Sequence, residues 1–297
     1  MSLSKKCWFV ALLVTCITSI SSAGSTNKLS IALLNFCPLH CIDSDNLMIQ
    51  ERPGYAVEVY QKIFGAIGYD VDFQPVPFNR GMIEVSEGRI DAISGPLKFD
   101  TEALKVKIRQ EPLIGPLYSE LIYPERSIGI HHSSCVFVHS DAEWKYSGLS
   151  SLDGKIIGAG KSYDYGKETN LYLENRLAKD SDSVVLLTGN SVFAKNLKKL
   201  EHKRVDVVLM DKVSGRHAIQ TAVKKGELGQ DLIKLSGCSG MPASLYLAFS
   251  GHTPDISKQL ASTFDKGIEG LRKSGELKEI LSKYGLQDWS SLITENH

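Results

Sequence analysis

Charged side chains that could bind a small molecule follow two of the apolar runs that are predicted to be buried strands. Asp211 comes directly after the strand predicted at residues 205–210, and Arg80 lies at the start of the helix predicted at residues 79–87. Ligands of open α/β sheets bind at the carboxyl ends of strands. A carboxylate there suits a cation or an amine, and a guanidinium suits an anion. Both residues also have a purely structural interpretation, Asp211 as a helix cap and Arg80 as a surface helix residue.

A third candidate is the turn at residues 160–166, which follows the strand predicted at residues 156–159 and leads into a helix. The free N–H groups at the start of that helix, together with Lys161, Ser162 and Tyr163, could bind a ligand oxyanion. The turn is not a phosphate loop, because that motif needs glycine where Lys155 stands. ATP binding is therefore excluded.

Aromatic side chains also fall near the predicted strand ends, where they could stack on a ligand or exclude water from it. For each of them, packing in the core is an equally good interpretation. These residues are Phe36, Tyr55, Phe78, Tyr163 and Tyr165. The strand predicted at residues 90–94 leads into Gly95, Pro96 and Leu97, which complete the set of expected ligand contacts.

The sequence contains no H-E-x-x-H, G-x-S-x-G or complete G-x-G-x-x-G motif. His40, inside C-P-L-H-C at residues 37–41, lacks a second ligand pair at zinc-like spacing. We interpret the adjacent His131 and His132 as exposed residues or as strand filler. We therefore expect no metal, no cofactor and no catalytic residues.

The chain has 297 residues with 34 basic and 34 acidic side chains, so it lacks the basic excess that nucleic-acid binding needs. Near its start, two lysines precede a 13-residue apolar stretch at residues 8–20, which is too short to span a bilayer of about 30 Å. This pattern predicts a secretory signal at residues 1–23, cleaved after Ala23. A lipid anchor on Cys16 is disfavoured because Thr15 precedes it. The mature chain is expected to be soluble, with a net charge of −2.

Four cysteines remain after cleavage, and export places them in an oxidising compartment where disulfides form. Four cysteines allow three connectivities, and the sequence does not decide between them. We favour Cys37 with Cys41 and Cys135 with Cys238, because the second pair would lie where two connecting segments meet.

Apolar runs of strand length alternate with amphipathic stretches in the order β-α-β-α-β over residues 29–94 and again over residues 156–210. This order predicts an α/β fold with two similar units. Two segments rich in Gly, Pro and Ser are expected to carry the chain between the units. We predict hinge crossings near residues 120–134 and 238–246, so that residues 24–125 and 246–297 form lobe 1 and residues 126–245 form lobe 2.

Six segments in this order resemble the bacterial extracellular solute-binding proteins of family 3. They are G-Y-A-V-E-V at 54–59, E-G-R-I-D-A-I-S-G-P at 87–96, L-D-G-K-I-I-G-A-G at 152–160, R-V-D-V-V-L-M-D at 204–211, L-Y-L-A-F-S at 245–250 and S-G-E-L-K-E-I-L-S-K-Y-G-L at 274–286. The resemblance implies a type II periplasmic-binding-protein-like fold, in which two lobes joined by a two-strand hinge close on a ligand. It also implies that Asp211 stands where the family carries the carboxylate that receives a ligand ammonium group.

The chain departs from the family at Leu104. Family members that bind amino acids usually carry Thr-x-x-Arg after the third strand, and here the segment reads Thr101-Glu102-Ala103-Leu104. The arginine that clamps a ligand carboxylate is therefore absent, and Arg80 is the candidate to replace it.

From the residues and the resemblance together, we expect a monomeric periplasmic receptor. It would capture a small polar solute, either amino-acid-like or an amine or carboxylate, for import by an ABC permease. Two alternatives stay open. One is an enzyme that resembles cyclohexadienyl dehydratase on the same scaffold, and the other is a receptor that reports to a membrane sensor without a permease.

Overall fold

The computed structural model describes residues 27–290, apart from residues 44, 133, 162, 189–191 and 241. The predicted signal peptide and its cleavage site lie outside these residues, and so does Ser162. Within the described part of the chain, no helix combines the length and the apolar character needed to cross a membrane.

Lobe 1 is built on a five-stranded sheet. Strand β1 (Asn27–Leu33) pairs in parallel with β2 (Tyr69–Pro75) and with β3 (Ala92–Leu97). Strand β10 (Ala243–Phe249) runs antiparallel to β3 and to β4 (Gly129–His131), which gives the order β2-β1-β3-β10-β4. The helices of this lobe are α1 (Tyr55–Gly65), α2 (Phe78–Ser86), α3 (Thr101–Gln110), α7 (Pro254–Ser274) and α8 (Glu276–Lys283), with a short 3-10 helix at Gly115–Ser119.

Lobe 2 repeats this arrangement with a second five-stranded sheet. Its strands are β5 (Cys135–His139), β6 (Ile157–Gly160), β7 (Val184–Leu187), β8 (Val207–Met210) and β9 (Ile233–Cys238), in the order β7-β6-β8-β5-β9. Its helices are α4 (Lys167–Lys179), α5 (Val192–Glu201) and α6 (Lys212–Lys224), with 3-10 turns at Leu149–Leu152 and Ser181–Ser183. In both sheets the parallel strands are joined through helices, as parallel pairing requires.

The two connections between the lobes are short. Strands β4 and β10 pair with each other, with His131 opposite Ala243 and Gly129 opposite Leu245, so residues 129–131 and 243–245 lie in the sheet of lobe 1. The sequence prediction assigned both segments to lobe 2. The sheets correct that assignment, because the antiparallel pairing of the two segments continues the first sheet up to the hinge. The chain therefore passes from one lobe to the other between the end of β4 and the start of β5, and between the end of β9 and the start of β10.

The C-terminal helices pack on lobe 1 through an apolar face. The Tyr60 ring on α1 lies 6.0 Å from the ring of Phe264 on α7, and Phe64 lies 6.3 Å from Phe249 on β10. All four side chains are fully buried. Burial of each contributes about 1.5–3 kcal/mol, which fixes α7 against the sheet.

Both expected disulfides are present. Cys37 is joined to Cys41 in the loop after β1, and Cys135 is joined to Cys238 across the β5–β9 pair. The second bridge links the two chain segments at the point where both enter lobe 2.

Candidate binding cleft

A cavity of about 460 Å³ lies between the lobes, at the carboxyl ends of the parallel strands. Lobe 1 contributes residues that follow β1 and β2, the end of β3, the end of α3 and parts of β4 and β10. Lobe 2 contributes Tyr163, Asp164 and Gly166 from the turn after β6. Cavities of 300–1,000 Å³ are typical of small-molecule sites, and α/β sheets place such sites at these strand ends.

The lobe 1 wall is mostly apolar and closely packed. Phe36, Phe78 and Leu97 face the cavity beside Gly95. Gly95 has φ 106°, and a Cβ added there would lie 3.0 Å from Leu34 Cδ2. Glycine meets both constraints because it has no side chain and tolerates positive φ. A larger residue at this position would distort the wall.

A buried polar network supports this wall from behind. His40 Nδ1 lies 3.2 Å from the Leu34 carbonyl oxygen, and its Nε2 lies 2.6 Å from Ser94 Oγ, which in turn lies 2.6 Å from the Tyr60 hydroxyl. Burial lowers the pKa of His40 to about 3, although the Leu34 hydrogen bond opposes this shift. The imidazole is therefore neutral.

The neutral ring fixes the direction of every hydrogen bond in the network. Because a carbonyl can only accept, His40 Nδ1–H donates to Leu34 and Nε2 accepts from the Ser94 hydroxyl. Ser94 in turn accepts from Tyr60. Leu34 follows β1 and Ser94 lies within β3, so the network ties together the ends of the two strands that form the wall.

The lobe 2 wall is the turn between β6 and α4. The hydroxyl of the buried Tyr165 accepts from the Gly160 N–H at 2.7 Å and holds the turn in place. Asp164 Oδ1 accepts from the Gly166 N–H at 2.8 Å and from Asn170 Nδ2 at 2.9 Å. Tyr163 is 39% exposed, and its ring is stacked on that of Tyr165. The turn thus presents an aromatic ring and a carboxylate to the cavity.

The end of α3 closes one side of the cavity. Lys107 and Glu111 both line it, and their side chains form an ion pair at 2.7 Å. Tyr118, in the 3-10 helix that follows, also lines the cavity. Burial raises the pKa of the Tyr118 hydroxyl, and the carboxylates of Glu111 and Asp164 raise it further. Since Glu111 belongs to lobe 1 and Asp164 to lobe 2, carboxylates from both lobes act on the same hydroxyl.

His131, on β4 in lobe 1, lines the cavity next to the hinge, and its ring packs edge-on against Phe36. Its Nδ1 lies 3.2 Å from Asp211 Oδ2 in lobe 2, an ion-pair distance, although it makes no hydrogen bond of normal geometry. Asp211 is 3% exposed. Its Oδ2 accepts from the His132 N–H, and its Oδ1 accepts from the N–H groups of Val213 and Ser214.

Asp211 is an anchor of the hinge in this structure. It caps α6 and holds the backbone of the first crossing at the same time. Burial alone would raise its pKa, but the nearby His131 side chain and the N–H groups of Ser214 and His132 outweigh burial and lower it. The carboxylate is therefore ionised and fully engaged with protein groups.

Five of the predicted ligand contacts line the cavity, namely Phe36, Phe78, Gly95, Leu97 and Tyr163. The others among the described residues lie elsewhere. Tyr55 is buried in lobe 1, with its ring 6.3 Å from that of Tyr284, and Pro96 is buried in β3. The Arg80 side chain is 67% exposed and pairs with Glu84 at 2.7 Å, and Lys161 is exposed outside the cavity.

Several lining residues were not identified as ligand contacts from the sequence: Lys107, Glu111, Tyr118, His131 and Asp164. Asp164 was the closest to being found, since it lies inside the turn already selected at residues 160–166. Tyr118 belongs to a Gly/Pro/Tyr-rich stretch that was interpreted as a connection. The pairing of β4 with β10 brings His131 to the edge of the cleft, where it lines the cavity.

In the described part of the chain, two groups each bring together three side chains, two cysteines and one histidine, of types that can bind a metal. One contains Cys37, Cys41 and His217, and the other contains His132, Cys135 and Cys238. In each group the two cysteines are joined to each other, so no thiolate is available as a ligand. The disulfide-bonded form therefore does not fit a metal ion at either place.

Residues 32–287 match the sequence model of the bacterial extracellular solute-binding proteins, family 3. The chain belongs to this family. No curated protein sequence matches the chain significantly.

Solved structures show the same fold at low sequence identity. An amino acid ABC transporter substrate-binding protein from Streptococcus pneumoniae, bound to L-arginine, matches with a TM-score of 0.58 and 19% identity, covering 88% of this chain and 95% of that one. A histidine kinase sensor domain with similarity to periplasmic binding proteins matches with a TM-score of 0.58 and 18% identity, covering 86% and 95%. A probable amino-acid ABC transporter extracellular-binding protein from Bacillus subtilis matches with a TM-score of 0.60 and 14% identity, covering 87% and 97%.

Leu104 is half-buried and packs on the apolar cluster that contains Ile114 and Tyr118. The position where the resemblance places a carboxylate-binding arginine is therefore part of the packing under the cleft. Arg80 does not replace that arginine in this structure, because its guanidinium is held by Glu84 and does not line the cavity.

Proposed function

We propose that the protein is an exported receptor that captures a small solute between its two lobes and presents the closed form to a membrane partner. The observation that carries this proposal is the cavity of about 460 Å³, which is lined by residues of both lobes. A ligand stabilises a closed form only through contacts that it makes with both lobes at once. Tyr163 in lobe 2 and Phe36 in lobe 1 offer such contacts.

The proposed location is the periplasm, on the strength of the predicted signal at residues 1–23 and the poor context of Cys16 for lipidation. We propose an ABC permease as the partner, since family membership and the amino-acid transporter proteins among the structural neighbours favour that role. The likeness to a histidine kinase sensor domain favours a membrane sensor as the second candidate.

The experiment that tests capture is a thermal-shift screen of the mature chain against amino acids, amines and small carboxylates. A ligand present at a hundred times its dissociation constant adds about 2.7 kcal/mol to the stability of the folded state. Small-angle scattering with a hit from the screen is expected to show a smaller radius of gyration than without it. A protein that shifts with no compound in the screen would contradict the proposal.

Matched variants test whether both lobes hold the ligand. Phe36→Ala and Tyr163→Ala each remove an aromatic ring that lines the cavity, one from each lobe, and each is expected to weaken binding about tenfold. Tyr172→Ala is the control, because Tyr172 lies on α4 and its hydroxyl bonds Asp153 outside the cavity. Unchanged affinity in either cavity variant would show that the solute does not bridge the lobes there.

The proposal is capture without catalysis. Incubation of the purified chain with prephenate tests the enzyme alternative directly, because a dehydratase of that kind releases an aromatic product that absorbs in the near ultraviolet. We expect no change in absorbance. Product formation that depends on the chain would replace the receptor proposal with an enzyme.

A further inference from the structure

We infer that the cleft selects a cationic organic amine with an apolar or aromatic body, and that the ligand needs no α-carboxylate. This inference rests on the proposed function and names the chemical class of the solute. It is argued from the charges that line the cavity, from the two helix ends beside it and from its aromatic side chains.

The ionisable side chains on the cavity wall favour a cation. Two carboxylates face it, Glu111 from lobe 1 and Asp164 from lobe 2, whereas Lys107 is the single lysine or arginine among the described lining residues. Lys107 already pairs with Glu111 at 2.7 Å, and its side chain is only 12% exposed. The other carboxylate, that of Asp164, has no lysine or arginine partner among the described residues and accepts only from neutral N–H groups. An ammonium group supplies the missing positive charge, and a ligand carboxylate would add to the excess.

The carboxyl end of α3 adds negative potential at the cavity wall, and the Asp164 carboxylate lies at the positive amino end of α4. The last turn of α3 holds Lys107 and is followed by Glu111, so the negative end of that helix is directed to the cavity wall. On the lobe 2 side, the amino end of α4 is the place where an oxyanion was expected. There the Asp164 carboxylate already accepts from the Gly166 N–H at 2.8 Å. The protein's own acid occupies the position of the anion.

The remaining wall suits the body of such a ligand. Phe36, Phe78, Tyr118 and Tyr163 line the cavity from both lobes. A desolvated cation over an aromatic face is attracted by the negative face of the ring, and flat apolar groups stack on the same rings. Carboxylates combined with several aromatic rings therefore match an amine with a hydrophobic body.

A carboxylate-bearing ligand would find no guanidinium to bind it. Leu104 packs under the cleft where the family carries arginine, and Arg80 is held outside the cavity by Glu84. An α-amino acid would have to pull Lys107 away from Glu111 and leave that acid without its partner in a partly buried site. Breaking the Lys107–Glu111 ion pair is unfavourable, and an amine without a carboxylate binds without breaking it.

The test compares ligands that differ only in the α-carboxylate. Isothermal titration calorimetry of the mature chain at pH 7.5 would use phenethylamine with phenylalanine, tyramine with tyrosine, putrescine with ornithine, and agmatine with arginine. We expect at least one amine to bind at least tenfold more tightly than its parent amino acid. An amino acid that binds as tightly as its amine, or more tightly, overturns the inference and leaves the receptor proposal in place. If none of these compounds binds, the inference fails, and the receptor proposal is decided separately by the wider thermal-shift screen of amino acids, amines and small carboxylates.

Charge-neutral variants locate the ammonium site. Asp164→Asn keeps an oxygen to accept from Gly166, and Glu111→Gln keeps the length of the side chain, so both are expected to fold. Each is expected to weaken amine binding about tenfold or more. Glu102→Gln is the control. Glu102 lies on α3, the helix that ends just before Glu111, pairs with the exposed Lys105 and does not line the cavity. Equal amine affinity in all three variants would show that these carboxylates do not recognise the ligand charge.

Discussion

Replacing His40 is expected to remove most of the sensitivity of this protein to mild acid. The folded chain holds the His40 ring neutral, with its pKa lowered to about 3 by burial, whereas in the unfolded chain the pKa returns to about 6.5. Below pH 6.5 the unfolded state therefore binds a proton that the folded state does not. The stability of the folded state falls as the pH decreases from 6.5 towards 3.

The size of the effect follows from these two pKa values. At pH 7.5 the proton linkage of His40 is close to zero, and at pH 5.0 it destabilises the folded state by about 2 kcal/mol. This figure changes little as long as the pKa in the folded protein stays well below 5. Carboxylates with lowered pKa values, such as Asp211 and Asp288, lose their contribution only below about pH 4. The range from pH 7.5 to 5.0 therefore isolates histidine.

The assay is urea unfolding of the wild type and of His40→Gln at pH 7.5 and at pH 5.0. The variant is expected to be less stable at both pH values because it disturbs the bonds to Ser94 and Leu34. The measured quantity is the change in free energy of unfolding between the two pH values, which is expected to be about 2 kcal/mol smaller in the variant than in the wild type. His217, whose pKa is lowered by burial and by the charge of Arg52, contributes equally to both proteins and cancels.

His202→Gln is the matched control, because His202 is exposed. It is expected to show the same pH dependence as the wild type. If His40→Gln and the wild type lose equal stability between pH 7.5 and 5.0, the assignment of a neutral, buried imidazole at residue 40 is wrong.

Three further perturbations test the scaffold. Gly54 has φ 111°, and a Cβ there would lie 2.3 Å from a backbone oxygen, so Gly54→Ala is expected to destabilise the folded state by about 3 kcal/mol or more. At Gly68, φ is 85° but the surrounding space is open, so Gly68→Ala is expected to cost only about 1 kcal/mol. Equal losses of the two variants in urea unfolding would contradict this. The disulfide between Cys135 and Cys238 closes a loop with a sequence separation of 103 residues, so replacing both cysteines with serine is expected to destabilise the folded state by about 4–5 kcal/mol. The loss would appear as a lower melting temperature, and an unchanged melting temperature would refute this prediction. Asp211→Asn is expected to lose about 1–3 kcal/mol at pH 7. The difference from the wild type should shrink as the pH falls below about 3.8 and through the lowered pKa of the folded state, where the wild-type carboxylate gains a proton. A difference that does not shrink at all in acid would argue against the ionised carboxylate.

The sequence was sufficient for elements whose apolar pattern is strong. The order β-α-β-α-β predicted over residues 29–94 is present as β1, α1, β2, α2 and β3, and the same order predicted over residues 156–210 is present as β6, α4, β7, α5 and β8. Helix α3 was not predicted, and the structure supplies the reason, since none of its residues is buried. Its apolar residues, such as Leu104, are only half-buried, so the apolar stripe with a period of 3.6 residues is weak in the sequence.

The candidate site was harder to predict because its chemistry depends on contacts between distant segments. From the sequence, Asp211 could be either a helix cap or a ligand contact. The His132 N–H that occupies its second oxygen comes from a segment 79 residues away. Glu111 and Lys107 reach the cavity only because α3 packs beside the 3-10 helix that carries Tyr118. Local patterns located the strand ends correctly and could not show which side chains meet across them.

The disulfide between Cys135 and Cys238 closes residues 135–238 of lobe 2 into a covalent loop, and the rest of the chain joins this loop only at the two bonded cysteines. A protease that cuts the backbone once inside this loop releases no fragment, because the disulfide still joins the two pieces. On a denaturing gel, cleaved molecules are therefore expected to migrate as one covalent species until a reductant is added. The disulfide also keeps the five strands of lobe 2 in one covalent unit after the cut.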